Sequence, residues 1–160
     1  MINKLLLTLL VVFSSVSSSY AIFDKYSINR EDLPEISRIF LDEHFPKAKV
    51  SMVKTDKHLL KKTDYDVKLT NGTKIDFNNK GEWTAVDCGK KAVPETIIHS
   101  RITAYVSKNH SECKIVSIAK KNLGYNVGLS DGKILRFNAL YQFKGTLTDE
   151  SLSDDTNSSD

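Results

Sequence analysis

The sequence predicts an α+β fold made of two tandem repeats, each a helix followed by a four-stranded antiparallel sheet. Three observations carry this expectation. The chain matches itself at a fixed offset of 60 residues: Tyr65-Asp66-Val67-Lys68-Leu69-Thr70-Asn71-Gly72 aligns with Tyr125-Asn126-Val127-Gly128-Leu129-Ser130-Asp131-Gly132, and Leu33-Pro34-Glu35 with Val93-Pro94-Glu95. A constant period of this length marks one structural unit used twice. Within the matched segment Tyr65, Val67 and Leu69 alternate with Asp66, Lys68 and Thr70, the pattern of a sheet with one wet face. Asn71-Gly72 and Asp131-Gly132 then punctuate the strands as two-residue hairpin turns.

In chain order, residues 1–21 read as a leader. Lys4, the apolar run Leu5–Val16 and the small-residue stretch before Ala21 have the grammar of a secretory signal peptide. The apolar run is too short for a spanning helix, so no stable membrane insertion is expected after cleavage. Residues 22–31 form an N-terminal lead. The first repeat covers 32–88. Asp32 or Leu33 caps a helix that Pro34 opens, Ile36, Ile39 and Phe40 give it an apolar face, and Phe45-Pro46 ends it. Strands are expected near 48–54, 63–70, 73–79 and 82–87. The second repeat covers 93–145, with Ile98, Ile102, Tyr105 and Val106 on one face of a helix from about Pro94 to His110. Its strands fall near 113–119, 123–130, 133–138 and 141–145. Lys49-Val50 corresponds to Lys114-Ile115 at an offset of 65, which makes the second helix about five residues longer. Residues 146–160 form an acidic, Ser-rich tail.

Charge narrows the function classes. The whole chain carries +3, and without leader and tail the body carries +7. Its lysines are scattered, as in Lys61-Lys62, Lys90-Lys91 and Lys120-Lys121, with no basic helix or aromatic-interleaved stripe, so nucleic acid is not an expected partner. Two cysteines exclude a disulfide-dense scaffold. Cys88 and Cys113 could pair in an exported chain, closing a loop worth about 3.5 kcal/mol in the chain-entropy model. Against pairing, a helix of about 16 residues between them would span roughly 24 Å and set the thiols at opposite ends of a sheet. The linker Gly89–Val93 could undo that separation, and both states stay open.

Gly128-Leu129-Ser130-Asp131-Gly132 spells the nucleophile-elbow pattern of serine hydrolases. An elbow leads into a helix, whereas the sequel Lys133–Phe137 reads as a strand, so a hairpin is expected instead. His44, His58, His99 and His110 lack metal-ligand spacing. No Gly-rich phosphate loop occurs. No catalytic residue, metal or cofactor is expected.

Leu33-Pro34, an amphipathic helix, His44-Phe45-Pro46-Lys47-Ala48-Lys49-Val50, Tyr-x-Val-x-Leu, Asn-Gly, Ile75-Asp76-Phe77 and Lys80-Gly81-Glu82-Trp83 together resemble the PepSY-like family, also described as beta-lactamase-inhibitor-like. The resemblance spans roughly Asp32–Phe143. The second copy departs from it, with His110-Ser111 where an aromatic-Pro pair is expected and Ala139-Leu140 in place of the Lys-Gly turn. The resemblance implies an exported protein, periplasmic or secreted, whose sheets present a broad face for protein binding.

The expected function is therefore that of a non-catalytic exported binding protein, binding or inhibiting an extracytoplasmic enzyme. Its contacts would be the polar side chains pointing away from the helices: Lys68, Lys74, Asp76, Asn126 and Arg136. The alternative is a carrier of a small ligand or peptide held between the repeats. Trp83 and Phe143 occupy matching positions; on the open face they would anchor a partner, and Trp83 is expected instead to pack under its helix.

Overall fold

The computed structural model describes residues 24–56 and 64–147. The leader, His58, the Lys61-Lys62 pair and the tail from residue 148 onward lie outside the described residues. Among the described residues nine strands follow one another: β1 (Lys25–Ser27), β2 (Val50–Asp56), β3 (Asp64–Leu69), β4 (Lys74–Phe77), β5 (Trp83–Asp87), β6 (Ile115–Lys121), β7 (Gly124–Leu129), β8 (Ile134–Asn138) and β9 (Phe143–Leu147). Helix α1 (Glu35–His44) lies between β1 and β2, and α2 (Ser100–Asn109) between β5 and β6.

The strands form one sheet in the order β1 to β9, every neighbouring pair antiparallel. This corrects the expectation of two separate helix-plus-four-strand repeats. The join is made by β5 and β6, with Ala85 opposite Ala119, Val86 opposite Ile118 and Asp87 opposite Ser117. Pairing these strands removes two sheet edges that would otherwise present unpaired N–H and C=O groups. Two further strand facts lie outside the expected pattern. The lead contains β1, and β9 runs to Leu147, two residues into the stretch read as tail.

Alternation along each strand places one row of side chains under the helices. Val53, Val67, Ile75, Val86, Ile118, Val127 and Leu135 are cross-strand partners from β2 to β8, and none is more than 2% exposed. Burying such a row is the main stabilisation available to a sheet of this kind. Helix α1 packs Phe40 edge-on against Phe77 at 5.7 Å and beside Trp83 at 6.2 Å. In α2, Tyr105 meets Phe137 edge-on at 5.5 Å and stacks on Phe143 at 4.5 Å. Both helices thus cover the same face, with Trp83, as expected, and also Phe143 beneath them.

The face of α1 differs from the expected one. Ser37, Phe40 and Leu41 are buried, while Ile36 and Ile39 are 54% and 48% exposed. Ser37 takes the core position because the helix meets the β4–β5 turn at close range, where its hydroxyl donates to the Gly81 carbonyl at 3.0 Å. An isoleucine has no room there.

The second helix is also shorter than expected. Glu95–Ile97 forms a 3-10 turn, Ile98 and His99 are extended, and α2 begins only at Ser100. The β-branched run Thr96-Ile97-Ile98 disfavours helix, and His99 caps α2 by accepting the Arg101 N–H at Nδ1, 3.2 Å away. Both α-helices therefore span ten residues. The five extra residues of the second half, 95–99, stand in front of the helix and not inside it.

Candidate functional site

The sheet has one face under the helices and one face that no described element covers. Across the uncovered face runs an unbroken cross-strand row: Tyr26, Lys54, Asp66, Asp76, Ala85, Ala119, Asn126, Arg136 and Gly145, one residue from each strand. A second row beside it carries Met52, Lys68, Lys74, Asp87, Ser117, Gly128 and Ile134. Asp76, Asn126 and Arg136 thus share the first row, and Lys68 and Lys74 sit opposite each other in the second. Period-two alternation puts all five on one face.

The two ends of this face differ in charge. Toward β1 it is acidic: Lys54 bridges Asp24 at 3.2 Å and Asp56 at 2.8 Å, which holds its ammonium well above the usual lysine range. Asp66 and Asp76 lie directly opposite each other. Partial burial, then repulsion from neighbouring carboxylates, pushes both above the ordinary aspartate value. The middle is lined by small residues, and Arg136 lies beyond it. At Gly128 a Cβ would fall 2.2 Å from Ser117 Oγ, so only a glycine fits opposite that serine.

The hydrolase-like pattern is a hairpin, as expected: β7 ends at Leu129 and β8 begins at Ile134. Ser130 Oγ accepts the Lys114 N–H at 3.0 Å and so serves the turn. Asp131 is held down to about 2 by its bond to the Lys133 ammonium. Cys88 and Cys113 are both free thiols. The argument that placed them at opposite ends of a sheet is corrected, because β5 and β6 are neighbours. The Cys88 N–H donates to Val116, three residues from Cys113. The thiols share one end of the sheet without being joined. Among the described residues no group of three or more His, Cys, Asp or Glu side chains is placed to hold a metal ion.

A second candidate site, which the sequence reading missed, opens on the helix-covered face between the start of α2 and strands β5 to β7. It is a cavity of about 340 Å³ lined by Trp83, Thr96, His99, Lys120, Tyr125 and Tyr141 together with four isoleucines. Residues 95–99 form one wall, tied to the end of α1 by a 2.9 Å hydrogen bond between His44 Nδ1 and Thr96 Oγ1. Lys120 places its Nζ 3.9 Å from the centre of the Trp83 ring. Burial is the larger influence on that ammonium and lowers its pKa, with Glu82 acting weakly the other way. The Tyr141 ring stacks on His99 at 3.7 Å, and its hydroxyl lies 3.4 Å from that of Tyr125.

Tyr141 is the one described non-glycine residue with positive φ, at 60°. Its turn is built like that of Gly81. The Gly81 and Tyr141 N–H groups donate to Asn78 and Asn138, each at 2.9 Å, and each asparagine side chain caps its turn in the same way. Leu140-Tyr141 therefore stands where Lys80-Gly81 does, one residue on from the Ala139-Leu140 pair expected there. A tyrosine 60 residues after a turn glycine was the available signal for this site.

None of the curated proteins matches the chain. A family model described as "Putative beta-lactamase-inhibitor-like, PepSY-like" matches residues 63–149. Among solved structures, a Bacteroides vulgatus protein described as periplasmic and of unknown function is 34% identical, with a TM-score of 0.75 over 79% of this chain and 100% of its own. A Bacteroides thetaiotaomicron protein, described as a "putative calcium-regulated periplasmic protein", is 32% identical, with a TM-score of 0.73 over 78% and 97%. Another Bacteroides vulgatus periplasmic protein is 34% identical, with a TM-score of 0.73 over 80% and 99%. No helix among the described residues is long and apolar enough to cross a membrane. The chain is an exported protein, periplasmic or secreted, and it belongs to the PepSY-like, beta-lactamase-inhibitor-like family.

Proposed function

We propose that this is a non-catalytic exported binding protein that engages an extracytoplasmic protein, an enzyme it holds or inhibits, through the uncovered face of its sheet. One observation carries the reading: the unbroken nine-strand row from Tyr26 to Gly145, acidic at one end and carrying Arg136 at the other. A partner of opposite polarity would be oriented on it by charge, with Lys68, Lys74, Asp76, Asn126 and Arg136 as the contacts. The use of Ser130 in its turn removes the one nucleophile motif that the sequence offered. The test is crosslinking capture from envelope extract with the wild-type protein and a folded Lys68→Glu/Arg136→Glu variant. A partner enriched by the first and lost at least tenfold with the second is expected; unchanged capture rejects this face.

A second reading, carriage of a small ligand, is favoured by the cavity between α2 and the sheet. Its volume of about 340 Å³ lies at the lower end of the range for small-molecule sites.

A further inference from the structure

We infer that the cavity between α2 and the sheet is a binding site for a small aromatic carboxylate, its ring packed beside Trp83 among Ile98, Ile102 and Ile118 and its anionic end received by Lys120 and the Tyr125 and Tyr141 hydroxyls. The inference rests on the carrier reading and adds the chemical class of the ligand.

The lining selects the charge. It contains a cation and several hydrogen-bond donors but no aspartate or glutamate. Among the described residues no carboxylate lies within ion-pair distance of Lys120, Glu82 acting on it only from farther away, whereas Lys133 has one such partner and Lys54 two. An ammonium facing an aromatic ring and partly withdrawn from water is an incomplete arrangement that an anion would complete. The two phenol oxygens, 3.4 Å apart, are too far from each other for a strong mutual bond. Each hydroxyl keeps the capacity to donate to one shared acceptor. His99 adds another donor: its Nδ1 accepts from Arg101, so in the neutral ring the proton is on Nε2.

The lining also selects the shape. Trp83, Tyr125 and Tyr141 stand beside Ile97, Ile98, Ile102 and Ile118, an apolar lining that takes a compact ring. Leu123 and Leu140, 86% and 63% exposed, lie in the turns on either side of Tyr125 and Tyr141.

Two local departures build the site, and both occur only in the second half. Residues 95–99 stand ahead of α2 and supply Thr96 and His99. Tyr141 occupies a backbone conformation that glycine takes in the first half, and a bulky residue there is strained. In the first half Gly81 packs against Pro34 and Ser37, which leaves no such space.

Trp83 is the chain's single tryptophan, so its emission reports on the site directly. The purified protein would be titrated with 4-hydroxybenzoate, 4-hydroxybenzamide and N-acetylphenylalanine, exciting at the red edge of indole absorption. The acid should give a saturable change and bind at least tenfold tighter than the amide. Lys120→Met should bring the acid down to the amide's affinity and leave the amide unchanged, and Tyr141→Phe should weaken the acid at least threefold. Tighter binding of N-acetylphenylalanine would keep the aromatic carboxylate and assign it to a peptide end. Equal affinity for acid and amide overturns the anion assignment while carriage survives. No saturation by any probe overturns both, and an acid preference untouched by Lys120→Met places binding elsewhere and overturns the site.

Discussion

The ring of Tyr141 lies parallel to the imidazole of His99, with centroids 3.7 Å apart and planes within 5°. It does so from a backbone at φ 60°, in a turn whose counterpart carries Gly81 at φ 84°. The same turn is therefore used in two ways. In the first half it lets a helix approach closely; in the second it aims an aromatic side chain into a cavity.

This difference predicts opposite responses to substitution. At Gly81 a Cβ would fall 2.7 Å from Pro34 Cβ and 2.9 Å from Ser37 Oγ. Gly81→Ala therefore adds a clash to the cost of positive φ, and should destabilise by about 3 kcal/mol. Tyr141→Gly relieves about 1–2 kcal/mol of backbone strain while losing roughly 0.5–1.5 kcal/mol of ring contact. Its net effect should stay within about 1 kcal/mol of zero. Urea denaturation of the two variants measures the contrast, and equal losses would show that the turns do not differ as described.

The cysteines give a chemical test of the β5–β6 join. Both thiols are free, Cys88 buried and Cys113 partly exposed. Burial, the largest influence, pushes the Cys88 thiol up, and the thiolate is the reactive form. Ellman titration of the unreduced protein should show two thiols, with Cys113 reacting first and Cys88 at least tenfold more slowly. In denaturant the two rates should converge. A titre of zero would mean that the two residues are bridged.

Much of the fold was legible in the sequence because it is written in local chemistry. Alternation in Tyr65–Leu69 and the turns Asn71-Gly72 and Asp131-Gly132 place β3, β4, β7 and β8 to within about two residues. What alternation cannot specify is which strand edge meets which. The pairing of Ala85 with Ala119 crosses the whole connection that contains α2, and it is decided by tertiary packing. The apolar face of α1 was misjudged because Ile36 and Ile39 outrank Ser37 in hydropathy, whereas the closeness of Gly81 admits only a small side chain at that position. The five outward residues followed from strand parity alone. The cavity did not, since Trp83, His99, Lys120 and Tyr141 come from four separate elements. Only the Tyr141-for-Gly81 exchange was visible as a local conflict.

The remaining prediction concerns pH. Asp66 and Asp76 are direct cross-strand partners, and both are raised above the ordinary value of 3.8, burial being the larger cause. Lys54, Asp56, Asp64 and Asp24 act on Asp66, while Lys74, Asp87 and Asp66 act on Asp76. A carboxyl raised in the folded state binds its proton more tightly there than in the unfolded chain. The pair therefore opposes folding at neutral pH, and this opposition fades as pH falls through the raised values and is gone below 3.8. Asp76→Asn should stabilise the protein at pH 7 by about 0.5 kcal/mol, the scale for relieving like charges placed directly opposite each other. The gain should shrink steadily below about pH 5 and vanish near pH 3. Thermal melts of wild type and variant across that range measure it. A gain that stays constant down to pH 3 would show that the charge of Asp76 is not its source.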